Sequence, residues 1–232
     1  VLYSLYHDKT VKLHGSCFRL WSNNHYFTAS HCVAGIDLDE LRIMNPLNME
    51  TDIRCKAIYK HSNADIAIIE VEEVPNKLER FSIYKSDFHL GMPIHCFGIV
   101  SDLFISRTRN PFRVIAGIVQ RDFIYDDSKY RSLSLELSSP IPKGLSGGPA
   151  FIATQPEMVV GISIATIQSE IIVSNINEYE EDGIRLKEKI SEFVRYGVIL
   201  RIFPLIGSIA WNLLSDLDRV IVQPERLQIV IA

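Results

Sequence analysis

Residues 143–149 read KGLSGGP, with Ser146 set among three glycines and a proline. Gly, Ser and Pro are ordinary turn residues, so one interpretation is a surface turn. The other is a nucleophile held at a tight bend, with backbone N–H groups converging beside it. Two further stretches bear on the choice. NHYFTASHCV, residues 24–33, carries His31 directly after the small residues Ala29 and Ser30. Small side chains there let an imidazole lie close to other chain segments, and His is the commonest general base. HSNADIAIIEV, residues 61–71, carries Asp65 out of a polar loop to the start of an apolar run. Such a run reads as a buried strand, and a buried carboxylate must be paired or hydrogen-bonded. Taken singly, each has an ordinary explanation: a surface histidine, an aspartate closing a turn, a glycine-rich bend. In the chain order His31, Asp65, Ser146 they match one of the known orders of a nucleophilic triad.

The elements that must position these residues read almost entirely as short strands. Candidates are Val11–Leu20, His25–Thr28, Leu41–Met44, Cys55–Lys60, Ile66–Val71, Pro93–Val100, Val114–Arg121, Leu133–Leu137, Ala150–Ile152, Val159–Ile164, Ile171–Val173 and Val198–Ile202. Each is rich in β-branched or aromatic residues and bounded by turn formers. About a dozen such strands predict an all-β sandwich or paired barrels. The polar stretch over residues 71–93 is the expected crossover between two halves, and the charge-rich stretch Asn175–Lys189 is expected to be a surface loop or a short helix. Pro204–Leu214 reads as a helix, with Pro at its start and a spaced apolar face. The tail beyond it reads as further strand or as the start of a linker.

The three stretches resemble the motifs of the trypsin-like (chymotrypsin-fold) serine peptidases. TASHC resembles that family's T-A-A-H-C, ADIAIIEV its D-I-A-L-L, and GLSGGPAF its G-D-S-G-G-P-V. VVGISIAT resembles the strand lining the substrate cleft, and YGVILRIFPLIGSI the closing strand and C-terminal helix. The resemblance spans roughly residues 10 to 215, and the chain looks closer to the bacterial, HtrA-like branch than to digestive enzymes. It implies an all-β fold of two six-stranded antiparallel Greek-key barrels, with the site in the cleft between them and a short C-terminal helix. The implied division is 1–85, carrying His31 and Asp65; 86–203, carrying Ser146; and 204–232, helix and tail. The implied activity is serine endopeptidase chemistry on protein substrates through an acyl-enzyme. A regulatory or processing role is expected, loosely in bacterial defence or stress response. The rival reading is a catalytically silent binding or sensor module on the same fold.

Under the resemblance His31 is the base, Asp65 its orienting partner and Ser146 the nucleophile, with backbone N–H groups of Gly144 and Ser146 forming the oxyanion hole. Pro140 and Ile141 are expected at the floor of the primary pocket, and Ala165, Thr166 and Gly197 at its walls. No acidic residue stands at that floor, so a small-to-medium apolar residue is expected on the acyl side of the scissile bond. Leu145 replaces the aspartate that pairs with a freshly cut N-terminus in activated zymogens, which implies switching on by another route. Ile164 stands where many relatives carry a serine bonded to the aspartate; Ser163 is the alternative match. Cys17 and Cys32 occupy places that form a disulfide in some relatives, and their state is left open.

Bulk properties exclude several other classes. The chain of 232 residues is 47% hydrophobic and 22% charged, with a formal net charge of −4. That is ordinary globular composition, with no basic surface for nucleic acid. No apolar run reaches the roughly 18 residues of a membrane span. VLYSLYHDKT lacks the features of a signal peptide. Four scattered cysteines fit neither a disulfide scaffold nor a metal knuckle, and point to a reducing compartment. The expected location is therefore cytoplasmic, or periplasmic or secreted if a leader has been removed. No cysteine sits in a glycine-rich bend, and the histidines lack metal-ligand spacing. No cofactor and no metal are expected. The expected partners are a protein or peptide substrate and, for regulation, another domain or protein.

Overall fold

The computed structural model describes residues 1–6, 8, 10–20, 24–45, 48–72, 81–101, 112–181 and 184–205. The first half holds seven strands: β1 (Leu2–Leu5), β2 (Val11–Gly15), β3 (Phe18–Arg19), β4 (His25–Thr28), β5 (Leu41–Asn45), β6 (Asn48–Lys60) and β7 (Ala67–Val71). They form one sheet in the order β2-β1-β5-β6-β7-β4-β3. Its two end strands are joined by Ser16 and Cys17 alone, so chain continuity closes the sheet on itself. The sequence predicts one strand over Val11–Leu20; the structure bends it at Gly15–Cys17. Counted as one bent strand, it makes the first ring six-stranded.

The second half holds β8 (Ser82–Ile83), β9 (Pro93–Ile99), β10 (Phe112–Asp126), β11 (Arg131–Leu137), β12 (Pro149–Ile152), β13 (Gln155–Glu181) and β14 (Ile184–Arg201). Their order is β12-β9-β10-β11-β14-β13-β8, and an added β12–β13 pairing closes six of them into a ring. β8 lies outside that ring, parallel to β13. The protein is thus an all-β, two-barrel molecule.

Alternation explains the burial. Ile94, Cys96 and Gly98 of β9 turn inward while Pro93 and Phe97 turn out. β13 and β14 are apolar on both faces where the barrels meet. Val160 and Ile199 point into the second core, with Leu135, Leu137 and Leu145. Their neighbours Val159, Ile162, Val198 and Leu200 join the first core, with Phe27, Ile66 and Ile68. A strand buried on both faces reads as a continuous apolar run, as these segments do.

Two expectations meet the structure differently. Asn175–Lys189 is neither loop nor helix. Its described residues are strand, part of a long ribbon in which β13 and β14 pair out to Glu181 and Ile184. Beyond Ala165 and Tyr196 the two strands pair only with each other among the described residues. Phe203–Leu205 is a short 3₁₀ turn; the rest of the helix predicted over Pro204–Leu214 lies outside the described residues. Among the described residues, no helix is long and apolar enough to cross a membrane.

Candidate active site

His31 sits in a single 3₁₀ turn, Ser30–Val33, immediately after β4. Ala29 and Ser30 are fully buried, so the turn packs down and lifts the ring to the surface. The His31 backbone N–H donates to Asp65 Oδ1 at 2.9 Å. Its Nδ1 lies 2.6 Å from Asp65 Oδ2. One carboxylate therefore holds both the backbone and the ring of the histidine.

Asp65 is 3% exposed, at the entry to β7. Its loop is tied by a residue the sequence does not single out. His61 Nδ1 accepts the backbone N–H groups of Asn63 and Ala64, at 3.0 and 2.8 Å. Partial burial lowers the His61 pKa, which favours the neutral ring that can accept them. The His31 ring is also pulled down by burial, but the hydrogen bond to Asp65 and the neighbouring Cys32 outweigh this and push it up to about 10.

Ser146 stands on a turn that only glycine can make. Gly144 and Gly147 have φ of +99° and +85°, in the left-handed region. A Cβ on Gly147 would overlap the Ser16 carbonyl oxygen and the Thr28 hydroxyl. Leu145 is wholly buried between them, in the second core. Lys143 is exposed. Among the described residues, neither Gly144 nor Ser146 gives its N–H to another protein group. The Ser146 hydroxyl donates to the Ile164 carbonyl at 3.3 Å, and not to His31.

Ser16 is the residue that sequence reasoning misses. It is 4% exposed in the bend between β2 and β3. Its N–H donates to the Ser146 carbonyl at 2.8 Å, and its hydroxyl donates to the Gly144 carbonyl at 2.9 Å. The same oxygen accepts the Ile99 N–H at 3.0 Å. One side chain of the first barrel thus clamps the serine turn of the second. The only sequence signal was a glycine inside a strand pattern, which marks a bulge or close approach. Gly15 fits that signal: a Cβ there would lie 2.6 Å from the Ser146 carbonyl oxygen.

The expected pocket residues separate. Ile141, Thr166 and Gly197 come together: Thr166 Oγ1 accepts the Ile141 N–H at 2.8 Å and donates to its carbonyl at 2.9 Å. A Cβ on Gly197 would meet Ile141 Cγ1 at 2.9 Å. Ala165 is half-buried against the first core, while Pro140 is exposed. Ser163 does not serve Asp65. Its hydroxyl donates to the Gly148 carbonyl at 3.1 Å, beneath the serine turn. All four cysteines are free. Burial pushes the Cys55 and Cys96 thiols up to about 12, so both remain neutral. A pocket of about 310 Å³ opens beside His31, lined by Lys12, His14, Ile36, Asp37 and Glu40 among others.

Solved structures share this arrangement of barrels. The active form of the Rv3671c protease from M. tuberculosis superimposes with a TM-score of 0.62 over 90% of this chain and 78% of its own, at 15% identity. The chain has the trypsin-like serine peptidase fold. The HtrA-type protease AlgW matches it too: a serine-to-alanine variant with a tripeptide has a TM-score of 0.60 over 90% of this chain and 58% of its own, at 15% identity. AlgW with a decapeptide gives 0.61 over 87% and 52%, also at 15% identity. Neither a protein-family model nor a curated protein sequence matches the chain. The peptidase fold therefore rests on the barrels themselves, with His31 and Asp65 on one and Ser146 on the other.

Proposed function

We propose that the protein is a serine endopeptidase acting through Ser146, His31 and Asp65. The observation that carries the reading is the histidine held by both oxygens of a buried carboxylate, together with a serine on a glycine-built turn whose carbonyl receives the thiol of Cys32, the residue next to His31, at 3.5 Å. In the first step the Ser146 hydroxyl leaves Ile164 and turns to His31. It attacks the scissile carbonyl carbon while His31 Nε2 takes its proton. The developing oxyanion receives the N–H groups of Gly144 and Ser146. His31 then gives the proton to the leaving amine, and the peptide C–N bond breaks. Water, deprotonated by the same ring, then bonds to the acyl carbon; the ester bond to Ser146 breaks and His31 returns the proton to its Oγ. Asp65 keeps the imidazole in the tautomer with Nε2 free. The pocket beside His31 supplies room on the leaving-group side. No cofactor enters the scheme.

A fluorophosphonate probe tests this directly. It is expected to label wild-type protein at Ser146 and to leave Ser146→Ala unlabelled. Wild-type protein that stays unlabelled would favour the silent-module reading.

The acyl-side pocket is proposed to take a small residue. Thr166 laced to both backbone groups of Ile141 narrows the space that a long side chain would enter. Thr166→Ala is expected to raise kcat/KM for a leucine peptide relative to its alanine counterpart by about tenfold. A wild-type preference for Arg or Phe over Ala would remove this assignment.

A further inference from the structure

We propose that the tip of the β10–β11 hairpin, Asp126–Arg131, is a positioning element for the triad, with Tyr130 seating the turn of His31 and the Arg131 main chain seating the loop of Asp65. This rests on the peptidase reading above and adds second-barrel residues to it. Among the described residues, the Asp65 carboxylate directs both of its hydrogen bonds to His31. Its own place is therefore set by the loop that carries it, and that loop is held from both barrels. His61 holds it from within the first barrel. From the second, the Arg131 N–H donates to the Asn63 carbonyl at 2.6 Å. One residue earlier, the Tyr130 hydroxyl donates to Ser30 Oγ at 3.3 Å. Ser30 is 1% exposed and opens the 3₁₀ turn of His31. Two consecutive residues of one hairpin thus reach the two segments that carry the His31–Asp65 pair. The relation mirrors the Ser16 clamp, in which the first barrel holds the Ser146 turn of the second.

The construction of the hairpin agrees with that role. Phe123 and Tyr125 of β10 lie half-buried against the first core, so the hairpin runs along the first barrel. At its tip Asp126, Asp127, Ser128 and Lys129 are exposed, while Tyr130 is buried. Asp127 Oδ1 accepts the N–H groups of Lys129 and Tyr130, at 3.0 and 2.7 Å. Asp126 Oδ1 accepts that of Ser128 at 3.1 Å. The Asp127 N–H donates to the Tyr130 carbonyl at 3.2 Å and closes the turn. Ser128 has a φ of +71°, and among the described residues it is the non-glycine residue in the left-handed region. That conformation is costly for a residue with a Cβ and persists where its surroundings over-determine it. Here the two aspartates over-determine it, and the outcome is a tyrosine delivered to the opposite barrel. Lys129 Nζ stands 4.9 Å from the Tyr130 ring centroid and covers the ring on its outer side. A rigid turn of this kind matters because rates are sensitive to small misplacements of a catalytic base.

The test combines fluorophosphonate titration with cleavage of one peptide taken from a digest of a proteome-derived library. Rates are expressed per titrated Ser146, so that unfolded molecules do not count. Asp127→Ala removes the acceptor of two turn amides and is expected to lower kcat about tenfold, with KM within about twofold of wild type. Tyr130→Phe keeps the ring and is expected to lower kcat about fivefold. Asp127→Asn keeps an acceptor oxygen and should return kcat to within about twofold of wild type. In the first two variants the limb in the pH profile of kcat/KM should fall with kcat, because a loosened His31–Asp65 pair holds its proton less tightly. A merely structural role would lower the stability in urea and leave the per-site kcat and the limb unmoved; that result overturns the proposal. A loss confined to KM overturns it too, since the hairpin would then be a substrate contact. Wild-type protein that labels at Ser146, with variants at the wild-type kcat, refutes the positioning element alone. Protein that neither labels nor cleaves refutes the peptidase reading and this inference with it.

Discussion

Asp65→Asn is expected to lower kcat by about 10⁴-fold without unfolding the protein. The reason lies in which donors the carboxylate serves. One oxygen accepts the His31 backbone N–H at 2.9 Å and the other faces Nδ1 at 2.6 Å. A backbone N–H cannot become an acceptor, so it claims the single oxygen of an asparagine amide. The amide NH₂ is left facing Nδ1, which must then accept. The ring proton moves to Nε2, where it blocks transfer from Ser146. The pH profile should move as well. His31 is pushed up to about 10 by Asp65 and Cys32 against the opposing pull of burial. Only the neutral ring takes a proton, so kcat/KM of the wild type should rise along a limb above the ordinary ~6.5. The His31 side chain is 40% exposed, and water screens part of the carboxylate's field, so the limb falls short of the full displacement. In Asp65→Asn the main raising interaction is gone and burial remains, so the limb drops. The folded state binds this proton more tightly than the unfolded one. The resulting stability is complete below about 6.5 and is lost as the pH climbs through the raised value. Burst kinetics across pH measure both effects. A variant within tenfold of wild type, with its limb unmoved, would remove Asp65 from the mechanism.

The residues that do the proposed chemistry were legible because each lies in a short local pattern. Small residues precede His31, an apolar run follows Asp65, and glycines surround Ser146. The two barrels were legible from turn-bounded β-branched runs. What escaped was set by contacts between distant segments. Nothing beside Ser16 in the chain announces that its hydroxyl reaches Gly144, 128 residues away. The alternative match at Ser163 failed for a reason of register. Successive strand residues face opposite sides, and Ser163 turns towards the Gly148 carbonyl. The ribbon over Asn175–Lys189 was hidden because its charge-rich sequence lacks the apolar alternation by which a strand is read. Its strand state comes from the pairing of β13 with β14, which lies between segments apart in the chain. In the sequence Leu145 is a departure from a motif. Its position in the second core gives that departure a physical meaning.

Leu145→Asp is expected to destabilise the protein by about 3–5 kcal/mol and to abolish labelling of Ser146 in the molecules that remain folded. The leucine is 0% exposed and packs with the second core. Its backbone N–H donates to the Pro142 carbonyl at 3.1 Å, and its carbonyl accepts the Gly148 N–H at 2.9 Å. It thus pins the turn between the two backbone groups proposed to receive the oxyanion. In the zymogen family an aspartate at this position reaches an ion-pair partner only after cleavage. Here the anchor is apolar and already seated. An aspartate in its place would bury a carboxyl group in an apolar site, where it either loses its charge or pulls the turn out of the core. Leu145→Met preserves volume and polarity and should cost under about 1.5 kcal/mol, with labelling retained. Residues added ahead of Val1 should likewise leave labelling intact, since no new N-terminus is needed to seat a leucine. Urea unfolding gives the stability, and probe labelling at a pH where wild type reacts gives the state of the turn. If Leu145→Asp folds and labels at the wild-type rate, the turn is held by something other than Leu145. The Ser16 bonds to Gly144 and Ser146, and the Ser163 bonds to Gly147 and Gly148, would then support it.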